Sequence, residues 1–276
     1  MDIPIQPATC IVRNTAARKG RTRSVSPANT AARHLHYGRI ILDAGMPAER
    51  VDSGGHETGL ICLRGEATVA FGTAVQPMRP YDALYVPRDT VFTVTPGPAG
   101  CDLAELSAPV SGQYPVQFVS FEAIQKDPGL HFTTGGPNAV RHLNILIGKN
   151  TQTGRILAGV TFIEPGNWAS WPPHEHAAML EEAYLYIDMP EPAFAVQLVY
   201  TNPREPELVT IVHDGDVVLM PQGYHPNIAA PGCRAGFLWM MAADREVEDR
   251  QFGVVNVQPE FAAGGSGLDA GKAKGR

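Results

Sequence analysis

The chain has 276 residues and a formal net charge of -6. Hydrophobic residues make up 44% of it and charged residues 18%, which is enough to build the cores of two small domains. The acidic balance argues against nucleic acid as a partner, because phosphate binding needs clustered basic side chains. No apolar segment is long enough to span a bilayer, and the N-terminus lacks the pattern of a secretory signal. We therefore expect a cytoplasmic protein without a membrane partner.

The first half of the chain is predicted to form short strands. Gly and Pro number 28 and 24, and they separate apolar segments rich in β-branched residues, a pattern typical of an all-β protein. Strands are predicted at residues 38–42, 60–63, 67–71, 83–86 and 91–94. Residues 1–34 are basic in their second half and show no periodicity, which predicts a flexible N-terminal arm.

A second series of strands is predicted at residues 156–162, 183–187, 195–200, 209–212, 217–219 and 236–241. The two series form a loose repeat, in which residues 81–90 correspond to residues 214–225, and a proline-rich segment at 108–138 separates them. We therefore predict an N-terminal barrel plus linker over residues 35–138 and a C-terminal barrel over residues 139–261. The composition of residues 262–276 predicts a disordered tail.

The most informative motif is Pro-Pro-His-Glu-His at residues 172–176. His174 and His176 are two residues apart, so an extended strand would direct both imidazoles to one point. A carboxylate follows at Glu181 or Glu182, and a third imidazole, His225, lies beyond a predicted turn. Three nitrogens and one oxygen suit a first-row divalent cation that keeps open positions, which favours a catalytic over a structural site.

This joint pattern resembles the two motifs of the cupin superfamily, which implies a bicupin with two jelly-roll (cupin) β-barrels in tandem. The first copy lacks the ligands, since His56 has no histidine two residues on and Thr90 occupies the place of His225. We therefore predict that the N-terminal barrel binds no metal and that the C-terminal barrel does.

Longer segments resemble the family that joins 5-deoxy-glucuronate isomerase of inositol catabolism with 4-deoxy-5-keto-uronate isomerase of pectin catabolism. The matching segments are residues 85–88, 106–109, 141–145, 165–176, 181–186, 214–226 and 229–232. Residues 167–168 and 223–226 are closest to the inositol branch, whereas residues 188–190 are more similar to the pectin branch. The resemblance implies an aldose–ketose isomerase acting on a deoxy-uronic acid, with conversion of 5-deoxy-glucuronate to 2-deoxy-5-keto-gluconate as the first expectation.

The resemblance also implies a ligand set for one divalent transition metal per chain, with zinc first and manganese or iron as alternatives. The implied histidine ligands are His174, His176 and His225. The carboxylate is ambiguous: the count forward from His176 favours Glu181, and the count backward from the following tyrosine strand favours Glu182. We prefer Glu182, because strand alternation then places it on the cavity face with Tyr184 and Tyr186.

The implied reaction moves a hydrogen between C1 and C2 of a sugar acid, either as a proton through an enediol or as a hydride. The candidate acid/base groups are Tyr184, Tyr186 and Glu181. The substrate carboxylate needs a cation, and a buried guanidinium is its natural bidentate partner. Arg141 is the first candidate for this role. The other candidates for substrate binding are His142, Trp168 and Lys149.

Two other functions use the same ligands. A cupin dioxygenase would hold iron here and consume oxygen, and a non-catalytic cupin would bind a sugar acid without turnover. The matches spread over both barrels favour the isomerase, with a small-molecule sugar acid as its ligand and a homo-oligomer as its assembly.

Overall fold

Strands dominate the fold, as the sequence predicts. The structure, a computed structural model, describes residues 3–265. Most of the predicted disordered tail, residues 266–276, lies outside this described part. None of the helices in residues 3–265 is long and apolar enough to cross a membrane.

The described residues form twenty-one strands and three short helices. The strands are β1 (Ile11–Val12), β2 (Gly20–Val25), β3 (His36–Leu42), β4 (Glu49–Asp52), β5 (His56–Phe71), β6 (Ala74–Met78), β7 (Ala83–Val86), β8 (Val91–Pro109), β9 (Gln117–Val119), β10 (His131–Thr134), β11 (Arg141–Ile147), β12 (Ile156–Ile163), β13 (Trp168–Ala169), β14 (His174–Glu175), β15 (Leu180–Ile187), β16 (Ala195–Val199), β17 (Leu208–Val212), β18 (Val217–Met220), β19 (Asn227–Ala229), β20 (Ala235–Ala243) and β21 (Asn256–Val257). The helices are α1 (Pro7–Cys10), α2 (Phe121–Lys126) and a 3-10 helix (Pro259–Gly264).

The N-terminal barrel is built from one sheet with the strand order β2-β3-β8-β5-β7-β9, to which β4 adds on β8 and β6 on β5. Its two long strands, β5 and β8, pair along most of their length, and register shifts near Arg64 bend them. Such bulges increase the local twist, so one pair of strands can belong to both walls of the barrel.

The C-terminal barrel has two main sheets. A seven-stranded sheet has the order β1-β18-β15-β20-β12-β11-β10, and a four-stranded sheet has the order β13-β19-β16-β17. A hydrogen bond from the Tyr186 hydroxyl in β15 to Gln197 Oε1 in β16 crosses between them. The strands β14 and β21 form a separate pair, which matters for the site below.

The segments predicted as a flexible arm and a linker contain strands, which corrects that part of the prediction. In residues 1–34, β1 pairs with β18 of the C-terminal barrel and β2 with β3 of the N-terminal barrel. In residues 108–138, β9 pairs with β7 and β10 with β11. Hydrophobic periodicity does not predict these strands, because they lack apolar alternation. β1 has only two residues. β2 carries Arg21, which makes two hydrogen bonds to the buried carboxylate of Glu105.

An apolar layer joins the two barrels. A Cβ added to Gly59 in β5 would lie 2.8 Å from Leu106 Cδ2 and 2.9 Å from Ile147 Cδ1, so the sheets approach closely there because residue 59 is glycine. One buried cluster includes Tyr85 of the first barrel and Ile147 of the second. A separate buried cluster, which includes Leu60, fills the interior of the N-terminal barrel.

Candidate metal centre and pocket

Two short segments and one central strand position the predicted metal ligands. His174 lies in β14, and His176 follows this strand directly. Glu182 lies in β15, which pairs with β18 on one side and β20 on the other, so the direction of its side chain is fixed. His225 follows β18 after a turn that needs glycine, because Gly223 has a φ of +83° and a Cβ there would lie 2.5 Å from the carbonyl oxygen of Tyr200.

His176, Glu182 and His225 form a compact buried group. Glu182 Oε2 lies 3.0 Å from His176 Nε2 and 3.1 Å from His225 Nε2. One ligand atom from each residue lies within 4.8 Å of the other two. Over residues 3–265, this is the one group of three or more His, Cys, Asp or Glu side chains that meets so closely.

In all three predicted histidine ligands, the same ring nitrogen, Nδ1, makes a hydrogen bond to the main chain. Each Nδ1 lies within hydrogen-bond distance of a main-chain carbonyl oxygen, which can only accept, so each Nδ1 carries the proton. The three bonds are His174 to Pro172 (2.8 Å), His176 to Leu180 (3.0 Å) and His225 to Gly223 (3.0 Å). In the neutral rings the lone pair is therefore on Nε2, which is the arrangement found in metal-ligating histidines.

His174 lies at the edge of the compact group. Its ring centroid is 5.1 Å from that of His225 and 6.4 Å from that of His176. Burial, and then the charges of those two histidines, lowers the pKa of His174 to about 3. The ring is therefore neutral at pH 7, and its Nε2 lone pair is available to a ligand.

The carboxylate at the centre stays charged. Burial acts to raise the pKa of Glu182, but the hydrogen bond from His176 and the proximity of the His225 ring outweigh it and hold this pKa at about 2. For His176, burial acts to lower the pKa, but the hydrogen bond and charge of Glu182 outweigh it, so the pKa is raised. A buried anion surrounded by imidazoles attracts a cation.

These donors fit a divalent transition-metal ion. With Nδ1 protonated, the neutral rings of His176 and His225 would turn their Nε2 lone pairs toward the Glu182 carboxylate. His225 Nε2 is buried and, although it lies 3.1 Å from that carboxylate, no partner meets it with hydrogen-bond geometry. A cation among the three groups would satisfy this nitrogen and remove the repulsion. Nitrogen and oxygen donors in this ratio suit zinc, manganese and iron.

Three of the four donors, His174, His176 and Glu182, line one pocket. The apolar part of its wall consists of Leu143, Leu180, Phe237, Trp239, Met241, Phe252, Val254 and Val255. The polar groups that join the metal donors are Arg141, Thr161, Ser170 and Tyr184. A small number of polar groups in an apolar wall is enough to orient a ligand, while most of the ligand surface contacts apolar side chains.

Arg141 lines the pocket. It is buried at the start of β11, and its guanidinium donates to the carbonyl oxygens of Ala139 (3.0 Å) and Trp171 (2.7 Å). Burial lowers the pKa of Arg141 to about 10, so the side chain remains a cation at neutral pH. These bonds fix the direction of the guanidinium at the pocket wall.

The two predicted catalytic tyrosines lie at different depths. Tyr184 lines the pocket, its hydroxyl is 2.7 Å from Ser170 Oγ and its ring centroid is 6.0 Å from that of His225. Tyr186 lies outside the pocket wall, and its hydroxyl donates to Gln197 at 2.5 Å. The structure therefore does not support the predicted catalytic role of Tyr186. Strand alternation gives the face of a side chain but not its distance from the barrel mouth.

Glu181 faces away from the pocket, so the structure does not support its predicted role as an acid/base group. Its carboxylate is buried and accepts hydrogen bonds from three consecutive main-chain amides, those of Arg33 (2.5 Å), His34 (2.6 Å) and Leu35 (2.5 Å). The reason is the alternation in β15, which turns neighbouring side chains to opposite faces. Glu182 takes the pocket side.

Three predicted substrate-binding residues lie outside the pocket wall. His142 alternates with Arg141 in β11 and bonds Glu164 at 2.9 Å on the outer face. Trp168 packs against Trp171, with ring centroids 5.2 Å apart. Lys149 is exposed in the turn beyond the far end of β11, roughly 20 Å of strand from its start. Proximity in sequence to the motifs did not bring these side chains to the site.

Sequence reasoning missed the segment that closes one side of the pocket. Residues 252–255, the C-terminal strap, all line the pocket. The ring of Phe252 stacks on that of Trp239 with centroids 5.0 Å apart, and β21, just after the strap, pairs with β14 beside His174. No spacing in the sequence connects this segment to the histidine motif, because the pairing joins residues about 80 positions apart.

Comparison with known proteins places the chain in a family. The sequence profile of the KduI/IolB family matches residues 10–256. A 5-deoxy-glucuronate isomerase from Geobacillus kaustophilus is 28% identical over 81% of this chain and 85% of its own length. A protein of the same name from Shouchella clausii is 31% identical over 68% of this chain and 74% of its own length.

Solved structures show the fold. An IolB-like protein from Salmonella typhimurium superposes with a TM-score of 0.82 at 24% identity, over 93% of this chain and 99% of that one. An oxalate decarboxylase from Bacillus subtilis, described with Mn(II) centres, has a TM-score of 0.64 at 12% identity, over 92% of this chain and 80% of that one. The predicted all-β bicupin fold is thus confirmed, and the chain is an isomerase that belongs to the KduI/IolB family.

Proposed function

We propose that the protein is a metal-dependent aldose–ketose isomerase that converts 5-deoxy-glucuronate to 2-deoxy-5-keto-gluconate. The observation that carries this proposal is the buried group of His176, Glu182 and His225, with His174 beside it and Arg141 in the same pocket. The relatives named 5-deoxy-glucuronate isomerase support the choice of substrate.

Two positive charges, a bound metal ion and the guanidinium of Arg141, would act on different parts of a sugar acid in this pocket. Negative charge develops on the oxygens of C1 and C2 when hydrogen moves between these carbons, and a bound divalent cation supplies Lewis-acid stabilisation of that charge. The residues that would hold the cation are His174, His176, Glu182 and His225. At the pocket wall, Arg141 would bind the substrate carboxylate through two parallel hydrogen bonds, which fixes the sugar before reaction.

Tyr184 acts in this proposal as a hydrogen-bond donor. Burial, and then the charge of Glu182, raises the pKa of Tyr184 well above its ordinary value, so its hydroxyl is protonated at neutral pH. It can therefore donate to a sugar oxygen, with Ser170 at 2.7 Å as its neighbour. Such a donor stabilises developing negative charge without giving up its proton.

We further propose hydride transfer rather than an enediol route. An enediol needs a base to remove a proton from carbon. Glu181 faces away, and among the described residues that line the pocket Glu182 is the one carboxylate, which the proposal assigns to the metal. We therefore expect the product formed in deuterium oxide to carry no carbon-bound deuterium from the solvent. Incorporation approaching one deuterium per turnover would instead establish proton exchange.

Zinc is the first choice of metal in the proposal, with manganese or iron as alternatives, because all three accept nitrogen and oxygen donors. We also propose that the protein is a homo-oligomer in the cytoplasm. Light scattering on the purified protein measures the number of chains.

A direct test combines metal analysis with two substrates. The purified protein is stripped with a chelator, reloaded with zinc, manganese or anaerobic iron, and assayed with 5-deoxy-glucuronate and with 4-deoxy-5-keto-uronate. We expect about one ion per chain and faster turnover of 5-deoxy-glucuronate. Faster turnover of the second substrate would move the protein to the pectin reaction. Oxygen consumption with the iron form and turnover of neither sugar acid would contradict the isomerase.

A further inference from the structure

Two buried carboxylates cross the boundary between the barrels in opposite directions. Glu181 of the C-terminal barrel accepts from three consecutive amides just before β3 of the N-terminal barrel. Glu57 of the N-terminal barrel accepts from three consecutive amides at the start of β12 of the C-terminal barrel. The amides that donate to Glu57 are those of Gly154 (2.7 Å), Arg155 (2.6 Å) and Ile156 (2.8 Å).

The strand ladders make these two carboxylates equivalent. Glu57 lies opposite Ala108 in the pair β5–β8, and Glu181 lies opposite Ala242 in the pair β15–β20. One residue later, Thr58 lies opposite Val86, and Glu182 lies opposite Met220. The contacts thus occur at the same place in each barrel. They differ in the next residue, which is a proposed metal ligand in one barrel and a threonine in the other.

The segment before β3 also supports the loop between the metal ligands. Arg33 Nη2 donates to the carbonyl oxygen of Ala177 at 3.1 Å, and Arg33 Nη1 lies 3.4 Å from Asp244 Oδ2. The main-chain amide of Asp244 in turn donates to the carbonyl oxygen of Met179 at 2.8 Å. The loop of residues 177–181 is therefore held at three points by groups outside it.

This loop sets the geometry of two proposed ligands. It connects His176 to Glu182, and its residue Leu180 accepts the Nδ1–H of His176 at 3.0 Å. Movement of the loop would rotate the imidazole and shift the start of β15 together. The β18 ladder begins only at Glu182, so at Glu181 itself β15 is paired on the β20 side and the carboxylate bonds add a second support.

We propose that Arg33 and Glu181 are positioning residues for the metal centre, which tie the ligand loop of the C-terminal barrel to the N-terminal arm. The inference rests on the metal site of the proposed function. Residues that orient metal ligands from outside the coordination shell typically contribute about 10- to 100-fold to metal affinity. Arg33 and Glu181 act through the loop and bond no ligand side chain, so we expect Arg33→Ala and Glu181→Gln each to weaken zinc binding by about tenfold, the lower end of that range.

Glu57→Gln is the matched control. It removes an equivalent carboxylate with the same number of amide partners at the same boundary, but those amides, of Gly154, Arg155 and Ile156, lie outside the loop of residues 177–181 and donate no bond to it. Zinc dissociation constants are measured by competition with a chromophoric chelator on the full chain. The visible absorption of the cobalt(II)-substituted protein reports ligand geometry, and thermal unfolding of the metal-free protein reports stability.

The expected result separates positioning from general destabilisation. Glu57→Gln and Glu181→Gln should lower the unfolding temperature by similar amounts, while only Arg33→Ala and Glu181→Gln weaken zinc binding and alter the cobalt spectrum. Arg33→Ala decides the question if Glu181→Gln does not fold. Wild-type zinc affinity and spectrum in Arg33→Ala, or equal loss in Glu57→Gln, would overturn the inference while the metal site stands. Failure of the wild-type protein to bind zinc, cobalt, manganese or iron would overturn the proposed function and the inference together.

Discussion

The two barrels share one frame of strands and differ in the side chains that point inward. With Glu57 equivalent to Glu181 in the ladders, Leu60 of the first barrel corresponds to Tyr184 of the second. Leu60 is fully buried in an apolar cluster that fills its barrel. Tyr184 is also buried, but it lines a pocket. The same position therefore serves packing in one barrel and a binding cavity in the other.

The histidines show the same contrast. In the first barrel, His56 lies beside His36, with ring centroids 4.7 Å apart, and burial, then the charges of His36 and Arg23, lowers the pKa of His56 to about 4. In the second barrel, the imidazoles surround a carboxylate, and the pKa of His176 is raised. His36 and His56 are half-buried, whereas the imidazoles of the second barrel are buried around Glu182, and this carboxylate makes them a candidate cation site.

The largest expected effect comes from removing a ligand of the second barrel. His176→Ala should reduce bound metal from about one ion per chain to a small fraction and lower kcat by about 1000-fold, because Lewis-acid stabilisation is worth several kcal/mol. Elemental analysis and steady-state kinetics measure both. His56→Ala is the control in the first barrel and should keep the metal. Equal metal contents in the two variants would place the metal elsewhere.

Variants of Tyr184 and Tyr186 show how far into the barrel the residues that contribute to kcat extend. Tyr184→Phe removes a hydroxyl at the pocket, and we expect kcat to fall by about 100-fold. Tyr186→Phe removes the hydrogen bond to Gln197, which should cost about 1–2 kcal/mol of stability and little kcat. Thermal unfolding and kinetics on both variants separate these outcomes. A larger kcat loss in Tyr186→Phe would move the chemistry deeper into the barrel.

Alternation along β11 gives a smaller, more selective effect. Arg141→Ala should raise KM by about 10- to 100-fold, since a charge-assisted bond is worth about 1.5–3 kcal/mol, and should change kcat less because ground state and transition state share this contact. His142→Ala, on the outer face of the same strand, should leave KM unchanged. The comparison is contradicted if KM responds to His142 as strongly as to Arg141.

The sequence was sufficient for the fold class, and its candidate ligands include His176, Glu182 and His225, the three residues that meet most closely. Period-two alternation in β15 placed Glu182 and Glu181 on opposite faces, which is how the structure arranges them. The same rule applied to β11 would have excluded His142, whose neighbour Arg141 takes the inner face. Local geometry therefore predicts the face of a side chain well.

Distances along the barrel and long-range pairings could not be predicted in this way. The depth of Tyr186 depends on where β16 crosses β15. The C-terminal strap reaches the pocket because β21 pairs with β14, and β1 joins the far barrel with only two residues. Such short pairings leave almost no periodic signal, since each is stabilised by tertiary contacts rather than by its own propensity.

The smallest expected effect on activity comes from the interior of the first barrel. Leu60→Ala removes a fully buried side chain and should lower the free energy of unfolding by about 2–5 kcal/mol, from lost burial and a residual cavity. Because Leu60 belongs to the cluster that fills the N-terminal barrel alone, kcat and metal content should stay at wild-type values wherever the variant is folded. Denaturant unfolding followed by kinetics well below the midpoint measures both quantities. A fall in kcat without loss of folded protein would show that the first barrel takes part in the chemistry, whereas a change in stability alone would confine its role to packing.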